Sequence, residues 1–262
     1  MARHERSFLP DWIAETRRQR GRRALERQLE YQEEKAQLMK NNMRQIVPGI
    51  IQKGISIRQR LERIKPISAE ARILEVGSGA HGLIFGFGSR FGFGVDPLAV
   101  EYQRLFPVWQ KNAPTVAAIG EELPFADSSF DVVLSDNVID HAENPLAIVD
   151  EIIRVLKPSG LLYFTVNIHH PIYSFVSGAH GLWNALGIRF ELSPFADHTI
   201  HLTENRMKKV FANLPLKIER EFSSITELKA ANRNAQSRGF VGRLKKVFFK
   251  NALYEIIAVK NN

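Results

Sequence analysis

The 262-residue sequence contains no cysteine. This absence excludes disulfide bonds, thiolate zinc sites, iron–sulfur clusters and any mechanism that depends on a cysteine nucleophile. No stretch approaches the ~18 consecutive apolar residues of a membrane-spanning helix, and residues 1–12 lack the apolar run of a secretory signal. We therefore expect a cytoplasmic protein, either soluble or peripheral at a membrane surface. The 44% of hydrophobic residues can form one large core beside a smaller appendage.

The net charge of +8 comes entirely from the N-terminal quarter of the chain. Residues 1–65 contain 16 Lys and Arg against 8 Asp and Glu, whereas the remaining residues contain 20 of each kind. A basic segment of this type predicts contact with nucleic acid, an anionic surface or an acidic partner, or self-association. A solvated helix face explains the same pattern equally well, so both interpretations stay open.

The basic segment has the composition of helix. Residues 11–45 are rich in Arg, Glu, Gln, Leu and Ala, which favour helix, and their apolar residues form only a narrow stripe. Pro48 and Gly49 are expected to interrupt this helix, and a second amphipathic segment follows, with Ile57 and Leu61 at helical spacing. We predict a basic helical extension at residues 1–67 and a second domain at residues 68–262.

From Ala71 onward, short apolar segments alternate with helical ones, which is typical of an α/β domain with a parallel sheet and crossover helices. Asn144 and Pro145 provide a cap and a first residue for one helix, and Thr203 is a candidate cap for a later one. Strands are predicted at residues 72–76, 92–95, 115–118, 132–135, 161–166, 216–222 and 254–259.

A glycine-rich turn follows the first predicted strand, where residues 73–82 read ILEVGSGAHG. Glycines at this position let a ligand approach the backbone closely. Gly77, Gly79 and Gly82 satisfy the dinucleotide-binding pattern GxGxxG, so the turn alone does not identify the ligand. Asp96 ends the next predicted strand, where a carboxylate can accept hydrogen bonds from both ribose hydroxyls. The pair predicts a cofactor that contains adenosine.

Three downstream motifs make the resemblance specific: EELPF at residues 121–125, SFD at 129–131 and RVLKPSG at 154–160. From about Ile73 to Val166 the chain resembles class I S-adenosylmethionine (SAM)-dependent methyltransferases, in particular the ubiquinone/menaquinone C-methyltransferase group. The resemblance implies a Rossmann-like fold with a seven-stranded, mostly parallel sheet, helices on both faces and an antiparallel C-terminal edge pair. It also implies SAM as the cofactor.

The resemblance further implies a role for each matching position. The first turn holds the methionine end of SAM, the acid after the second strand holds the ribose, and the loop before LPF flanks the adenine. The segment 136–141 after the fourth strand runs beside the sulfonium and faces the acceptor. The implied cofactor-binding residues are Glu75, Gly77, Ser78, Gly79, Gly82, Asp96, Pro97, Gly120, Glu121, Glu122, Asp136 and Asn137.

The chain departs from the family pattern at three places. Ile119 stands where an acid commonly binds the adenine amino group, so a backbone carbonyl or a neighbouring glutamate must do so here. Ser159 replaces a glycine after Lys-Pro. The glycine- and phenylalanine-rich residues 82–94 leave room for only a short first helix.

Histidines near the acceptor side are the candidates for a general base. Methyl transfer from a sulfonium needs mainly in-line positioning and at most one proton acceptor. His141 is the leading candidate, with Asp140 as its orienting partner, and His170 on the neighbouring loop is the second. His169, His170, His198 and His201 lack a recognisable ligand spacing, and we predict no metal site.

The absence of one sequence motif predicts the class of the methyl acceptor. Residues 136–139 read DNVI and lack the Asp/Asn-Pro-Pro-aromatic motif of nucleic-acid amine methyltransferases, so we expect a small molecule, a glycan intermediate or a lipid. Two rival functions remain open: an NAD(P)-dependent oxidoreductase, and a non-catalytic scaffold with this fold. The basic and aromatic residues 240–250 fit a membrane-surface helix, but a crossover helix is favoured.

Overall fold

The structure is a computed structural model that describes residues 11–39, 43–142, 144–172, 202–234 and 251–262. Two helices precede the sheet, α1 (Asp11–Met39) and α2 (Met43–Glu62). The expected break at Pro48 and Gly49 is wrong, because both residues lie inside α2. Pro48 removes one backbone N–H donor in the second turn, a cost of about 3 kcal/mol in a helix interior. The packing of α2 against the rest of the chain outweighs that loss.

A seven-stranded sheet forms the centre of the fold, with the strand order β3-β2-β1-β4-β5-β7-β6. The first five strands are parallel, whereas β7 is antiparallel to both β5 and β6. This arrangement confirms the predicted Rossmann-like class I methyltransferase fold. The strands are β1 (Arg72–Val76), β2 (Phe91–Val95), β3 (Thr115–Val116), β4 (Phe130–Asp136), β5 (Leu156–Ile168), β6 (Leu216–Ser223) and β7 (Ala252–Lys260).

The helices that follow β1 cover both faces of the sheet: α3 (Ala99–Leu105), α4 (Pro107–Gln110), α5 (Pro145–Val155), α6 (Glu204–Ala212) and α7 (Ile225–Asn234). The predicted caps of two of them are confirmed. The Asn144 side chain accepts a hydrogen bond from the Ala147 amide, and Thr203 accepts one from the Arg206 amide. The alternatives for residues 240–250 lie outside the described residues.

Two hydrophobic cores lie on opposite faces of the sheet. One is formed with α5 and α6, and includes Ile152 and Phe211. The other is formed with α2, α3 and α4, and includes Ile57 and the fully buried Leu61. Helix α2 therefore buries its apolar side in the same core as strand β1. The predicted boundary between residues 67 and 68 stays a prediction, as does contact of the basic extension with an anionic surface or a second copy.

Helix α2 and the loop after β1 meet backbone to backbone. A Cβ added to Gly54 would lie 2.5 Å from the carbonyl carbon of Gly86, and one added to Gly86 would lie 2.7 Å from Ile51 Cα. No side chain fits at either position, so glycine is required at both. This contact seats α2 beside the glycine-rich loop.

A buried ion pair also joins α2 to the sheet. The Arg60 guanidinium donates to both carboxylate oxygens of Glu255 on β7, and the Tyr163 hydroxyl donates to the same carboxylate at 3.3 Å. The Glu255 side chain is only 6% exposed. Removing one partner of a buried pair leaves an uncompensated charge, so neither Arg60 nor Glu255 can leave the other without a large cost in free energy.

Within the part of the chain that the structure describes, no helix is both long and apolar enough to cross a membrane.

Candidate functional site at the carboxyl edge of the sheet

The candidate site lies where the strand order reverses, between β1 and β4. Connections from β1 lead outward to β2 and β3, and the chain then returns to the other side of β1 to form β4. In open α/β sheets, ligands bind in the crevice at the carboxyl ends of the strands next to such a reversal. The glycine turn after β1, Asp96 after β2 and residues 136–141 after β4 all lie at this edge.

The glycine turn has a backbone that favours glycine. Gly77 and Gly79 have φ angles of +70° and +55°, a region that side chains other than glycine rarely adopt. A Cβ on Gly77 would lie 2.4 Å from a methyl carbon of Val138, so the turn packs tightly against the loop after β4. Beside Gly79 no atom lies within 4 Å of the corresponding position. The turn is therefore closed at Gly77 and open to a ligand at Gly79.

Glu75 is buried beneath this turn, with 1% of its surface exposed. Its two carboxylate oxygens accept hydrogen bonds from the amides of Leu83 at 3.0 Å and Ile84 at 2.8 Å. Burial raises the pKa of Glu75 to about 8, although the two amide hydrogen bonds act in the opposite direction. A Cβ on Gly82 would lie 2.3 Å from a Glu75 oxygen, so Gly82 is needed to admit the carboxylate.

The segment after the glycine turn argues against a dinucleotide. In dinucleotide-binding folds the turn opens an α-helix whose free N-terminal amides receive the pyrophosphate. Here only a three-residue 3₁₀ helix, Leu83–Phe85, follows the turn, and Glu75 accepts the amide hydrogen bonds of its first two residues. These two amides are therefore not free to bind a pyrophosphate. The short first helix expected from the sequence is therefore present. It leaves this chain without the free helix N-terminus that dinucleotide-binding folds offer to a pyrophosphate.

Asp96 connects the glycine turn to the loop after β2. Its oxygens accept hydrogen bonds from the amides of Gly79 and Leu98, both at 2.9 Å. Burial raises the pKa of Asp96 above its ordinary value. A carboxylate offers about four acceptor sites, so two remain for ribose hydroxyls. Pro97, which follows, is exposed at the same edge.

Asp136 ends β4, and its carboxylate makes two polar contacts at the crevice. One oxygen accepts from the Thr165 hydroxyl at 2.7 Å, and the other lies 2.5 Å from the Lys53 ammonium of α2. Asn137 adopts a φ of +61° and accepts a hydrogen bond from the Asn167 amide at 2.9 Å. Asn137 therefore joins the loop after β4 to strand β5, and the Asp136 side chain is 20% exposed.

The loop at residues 120–122 packs against β1 and α5. A Cβ on Gly120 would lie 3.0 Å from Ile148 and 3.2 Å from Val76, so the loop approaches the sheet closely. The Glu121 carboxylate accepts from the Asn144 amide at 3.3 Å, and Glu122 is exposed. The adenine contact of residues 120–122 stays a prediction.

The motifs LPF and RVLKPSG contact each other through one residue. The Arg154 guanidinium donates to the carbonyl oxygens of Leu123 at 3.1 Å and Phe125 at 2.7 Å, and pairs with Glu151 and Asp127. Arg154 of the second motif therefore holds the loop that contains the first motif.

The candidate bases are described only in part. Asp140 is fully buried in the 3₁₀ helix Ile139–His141, so it can act only through a neighbour. The side chain of His141 lies outside the described part of the structure. His170 is half-buried, its Nδ1 accepts from the Ile172 amide, and burial lowers the pKa of His170. His169 is buried, and its amide donates to the Leu202 carbonyl. The assignment of a base stays a prediction.

Two contributors to the site were not predicted from the sequence. Lys53 belongs to a helix that precedes β1, and no motif marks it. Gln110 is buried, donates to the Ala80 carbonyl at 3.1 Å and accepts from Thr115, so it supports the glycine turn from below. Among the described residues, no three His, Asp or Glu side chains form a group that could hold a metal ion. His198 and His201 lie outside those residues.

Sequence comparisons agree with this geometry. Residues 74–164 match the family model of a methyltransferase domain. An uncharacterized methyltransferase of Mycobacterium leprae is 37% identical over 100 residues, which are 37% of this chain and 37% of the relative. One of Mycolicibacterium vanbaalenii is 40% identical over 76 residues, or 29% of this chain and 30% of the relative. The segment that matches therefore covers less than half the length of each of these relatives.

Solved structures extend the similarity to most of the fold. The YcgJ protein of Bacillus subtilis has a TM-score of 0.55 and 16% identity, and the match covers 78% of this chain and 97% of that one. A putative methyltransferase of Bacillus halodurans has a TM-score of 0.53 and 17% identity, with 79% and 100% covered. Geranyl diphosphate C-methyltransferase of Streptomyces coelicolor, solved with Mg²⁺, geranyl diphosphate and S-adenosyl-L-homocysteine, has a TM-score of 0.53 and 13% identity, with 79% and 77% covered. At these identities the structures show the fold. Residues 74–164 thus resemble a methyltransferase domain in sequence, and the described chain has the fold of these solved structures.

Proposed function

We propose that the protein transfers a methyl group from SAM to a small-molecule, glycan-intermediate or lipid acceptor. The observation that carries the proposal is the charge of the crevice. Two partly exposed carboxylates, Asp96 and Asp136, stand at the carboxyl ends of β2 and β4, the strands on either side of β1. SAM carries a sulfonium and an ammonium group, whereas NAD carries an anionic pyrophosphate. A crevice lined by carboxylates favours the first ligand and disfavours the second.

The residues present fit SAM at both ends. Asp96 has free acceptor sites for ribose hydroxyls, and the open space beside Gly79 admits a ligand close to the backbone. Asp136 offers a carboxylate to the ammonium of the methionine end. When bound, SAM supplies a methyl group that is already activated for transfer by the sulfonium. The protein then has to orient the ligand, exclude water and, for some acceptors, remove one proton.

Residues 136–141 are proposed to face the acceptor. This segment packs on the glycine turn through Val138 and Gly77, so it lies next to the place assigned to the methionine end. His141 is proposed as the general base, with Asp140 as its orienting partner and His170 as the second candidate. A positioned base contributes typically ~10² to 10⁴ in rate.

The base assignment is tested by turnover against pH for the wild type and His141→Gln. A base role predicts a fall in kcat of at least about tenfold and the loss of one limb of the pH profile. A loss below about threefold, with an unchanged profile, would remove His141 from this role and direct the same test to His170.

Cofactor binding is tested by calorimetric titration with S-adenosylhomocysteine and, separately, with NADH. The proposal predicts binding of the first ligand only. Binding of NADH alone would favour the oxidoreductase alternative, and binding of neither would favour the scaffold. The acceptor class is then found by incubating methyl-labelled SAM with a fractionated lysate and measuring label in glycan, lipid, small-molecule, nucleic-acid and protein fractions. Label in nucleic acid or protein alone would contradict the proposed acceptor.

A further inference from the structure

A row of polar residues crosses three strands beside the crevice. Asp136 on β4 is in register with Thr165 on β5, and Thr165 is in register with Glu255 on β7. Residues in register point to the same face of a sheet, so the two carboxylates flank the threonine on one face. Helix α2 covers this face and brings one cation to each carboxylate, Lys53 to Asp136 and Arg60 to Glu255. Because these cations are seven residues apart, about two helical turns, they project from the same side of α2.

The two ion pairs differ in exposure. The side chains of Arg60 and Glu255 are 22% and 6% exposed, and the guanidinium binds the carboxylate through two nitrogens. The side chains of Lys53 and Asp136 are 57% and 20% exposed. An exposed lysine–carboxylate pair contributes little to stability, because water competes for both charges. The Arg60 pair therefore fixes α2 on the sheet, whereas Lys53 can exchange its partner at small cost.

The exposed pair lies at one end of the crevice. Asp96 marks the other end, on the far side of β1, where the ribose is proposed to bind. An elongated adenosine-containing ligand that reaches from Asp96 across the glycine turn would bring its second end to Asp136 and Lys53. In SAM that second end is an amino acid, with one ammonium and one carboxylate. The chain offers one carboxylate and one ammonium there, which is the complementary arrangement.

We propose that Lys53 binds the α-carboxylate of the methionine moiety of SAM while Asp136 receives its α-ammonium, so that α2 completes the cofactor site. This inference rests on the proposed function. It assigns Lys53 a ligand-binding role, although it lies in the basic extension outside residues 74–164 that match the methyltransferase domain. Without ligand, Lys53 and Asp136 pair with each other. When the ligand binds, its α-carboxylate pairs with Lys53 and its α-ammonium pairs with Asp136.

The test compares ligands that differ only at the amino-acid end. Full-length wild type, Lys53→Met and the control Arg63→Met are titrated with S-adenosylhomocysteine and with 5′-methylthioadenosine, which lacks the amino-acid group. Arg63 is exposed beyond the end of α2, so the control makes the same change in net charge away from the crevice. We expect Lys53→Met to weaken the first ligand by about 10- to 100-fold and to leave the second unchanged. Arg63→Met should change neither.

Decarboxylated SAM provides a second comparison, since it keeps the ammonium but lacks the carboxylate. It should bind wild type and Lys53→Met equally well, and Lys53→Arg should recover most of the affinity for S-adenosylhomocysteine. Equal affinity of wild type and Lys53→Met for S-adenosylhomocysteine would overturn the inference, as would equal losses for all three ligands. A raised KM for the acceptor with unchanged cofactor affinity would overturn it too, and would assign Lys53 to the acceptor. If the wild type binds none of these ligands, the proposed function itself fails, and the Lys53 assignment fails with it.

Discussion

Replacing Asp96 by alanine should damage the proposed ribose site and the glycine turn together. The carboxylate accepts from the amides of Gly79 and Leu98, both at 2.9 Å, and in the proposed complex it also accepts from two ribose hydroxyls. Hydrogen bonds to a charged acceptor contribute about 1.5 to 3 kcal/mol each, so losing the ribose bonds should weaken S-adenosylhomocysteine at least tenfold. Because water can replace part of the lost contact in an open crevice, the sum of both bonds is an upper bound.

The same substitution should lower the free energy of unfolding. Two amides lose their acceptor, at about 1 to 3 kcal/mol for each group left unsatisfied. Burial raises the pKa of Asp96, which shows that the charged form is itself disfavoured there, so removing it recovers part of the loss. We expect a net destabilisation of about 1 to 3 kcal/mol for Asp96→Ala. Asp96→Asn keeps one oxygen and should fall between alanine and the wild type.

Calorimetric titration and urea unfolding separate the two effects of Asp96→Ala. Glu101→Gln is the matched control, since it removes a nearby carboxylate on α3 whose charge also raises the pKa of Asp96, without touching the crevice. A 2′-deoxy analogue of the ligand should bind the wild type more weakly but should bind Asp96→Ala as well as the parent ligand does. A folded Asp96→Ala protein with wild-type affinity would refute the ribose assignment and the reasoning behind it.

The other predictions concern the packing beneath the turn. Burial raises the pKa of Glu75 from 4.5 to about 8, so the folded chain holds a proton that the unfolded chain releases, and the free energy of unfolding should fall as pH rises through that window. Glu75→Gln should remove this slope in urea unfolding, and a slope of equal size in the variant would contradict the assignment. Gly82→Ala would place a Cβ 2.3 Å from a Glu75 oxygen and from the Ser78 carbonyl, and should lower both the melting temperature and cofactor affinity. Gly49→Ala, in α2 with no atom within 4 Å, should instead stabilise the chain by up to about 1 kcal/mol, and equal melting of the two variants would argue against the packing described.

The local elements of the α/β domain were predictable because their signals are local. Strand β1 was placed from its apolar run, and the helix at Pro145 from an asparagine cap followed by proline. The strands at 115–118 and 161–166 were placed correctly but with different limits, since the structure has β3 at Thr115–Val116 and β5 at Leu156–Ile168. Strand ends depend on pairing with neighbours, which a single segment does not encode. The resemblance to methyltransferases was also visible in the sequence, because its motifs lie within one continuous segment, residues 73–166.

The sequence by itself determined the fold class, the glycine turn and the acids at the ends of the strands. Only the tertiary structure decided which groups these residues contact, because each contact joins residues far apart in the chain. Helix α2 continues through Pro48, and Gly54 and Gly86 allow it to pack closely on the domain. The pattern GxGxxG fits NAD and SAM alike until Glu75 is seen to accept the amides that a pyrophosphate would need. Lys53 lies 83 positions from Asp136, and only folding brings its charge to the crevice.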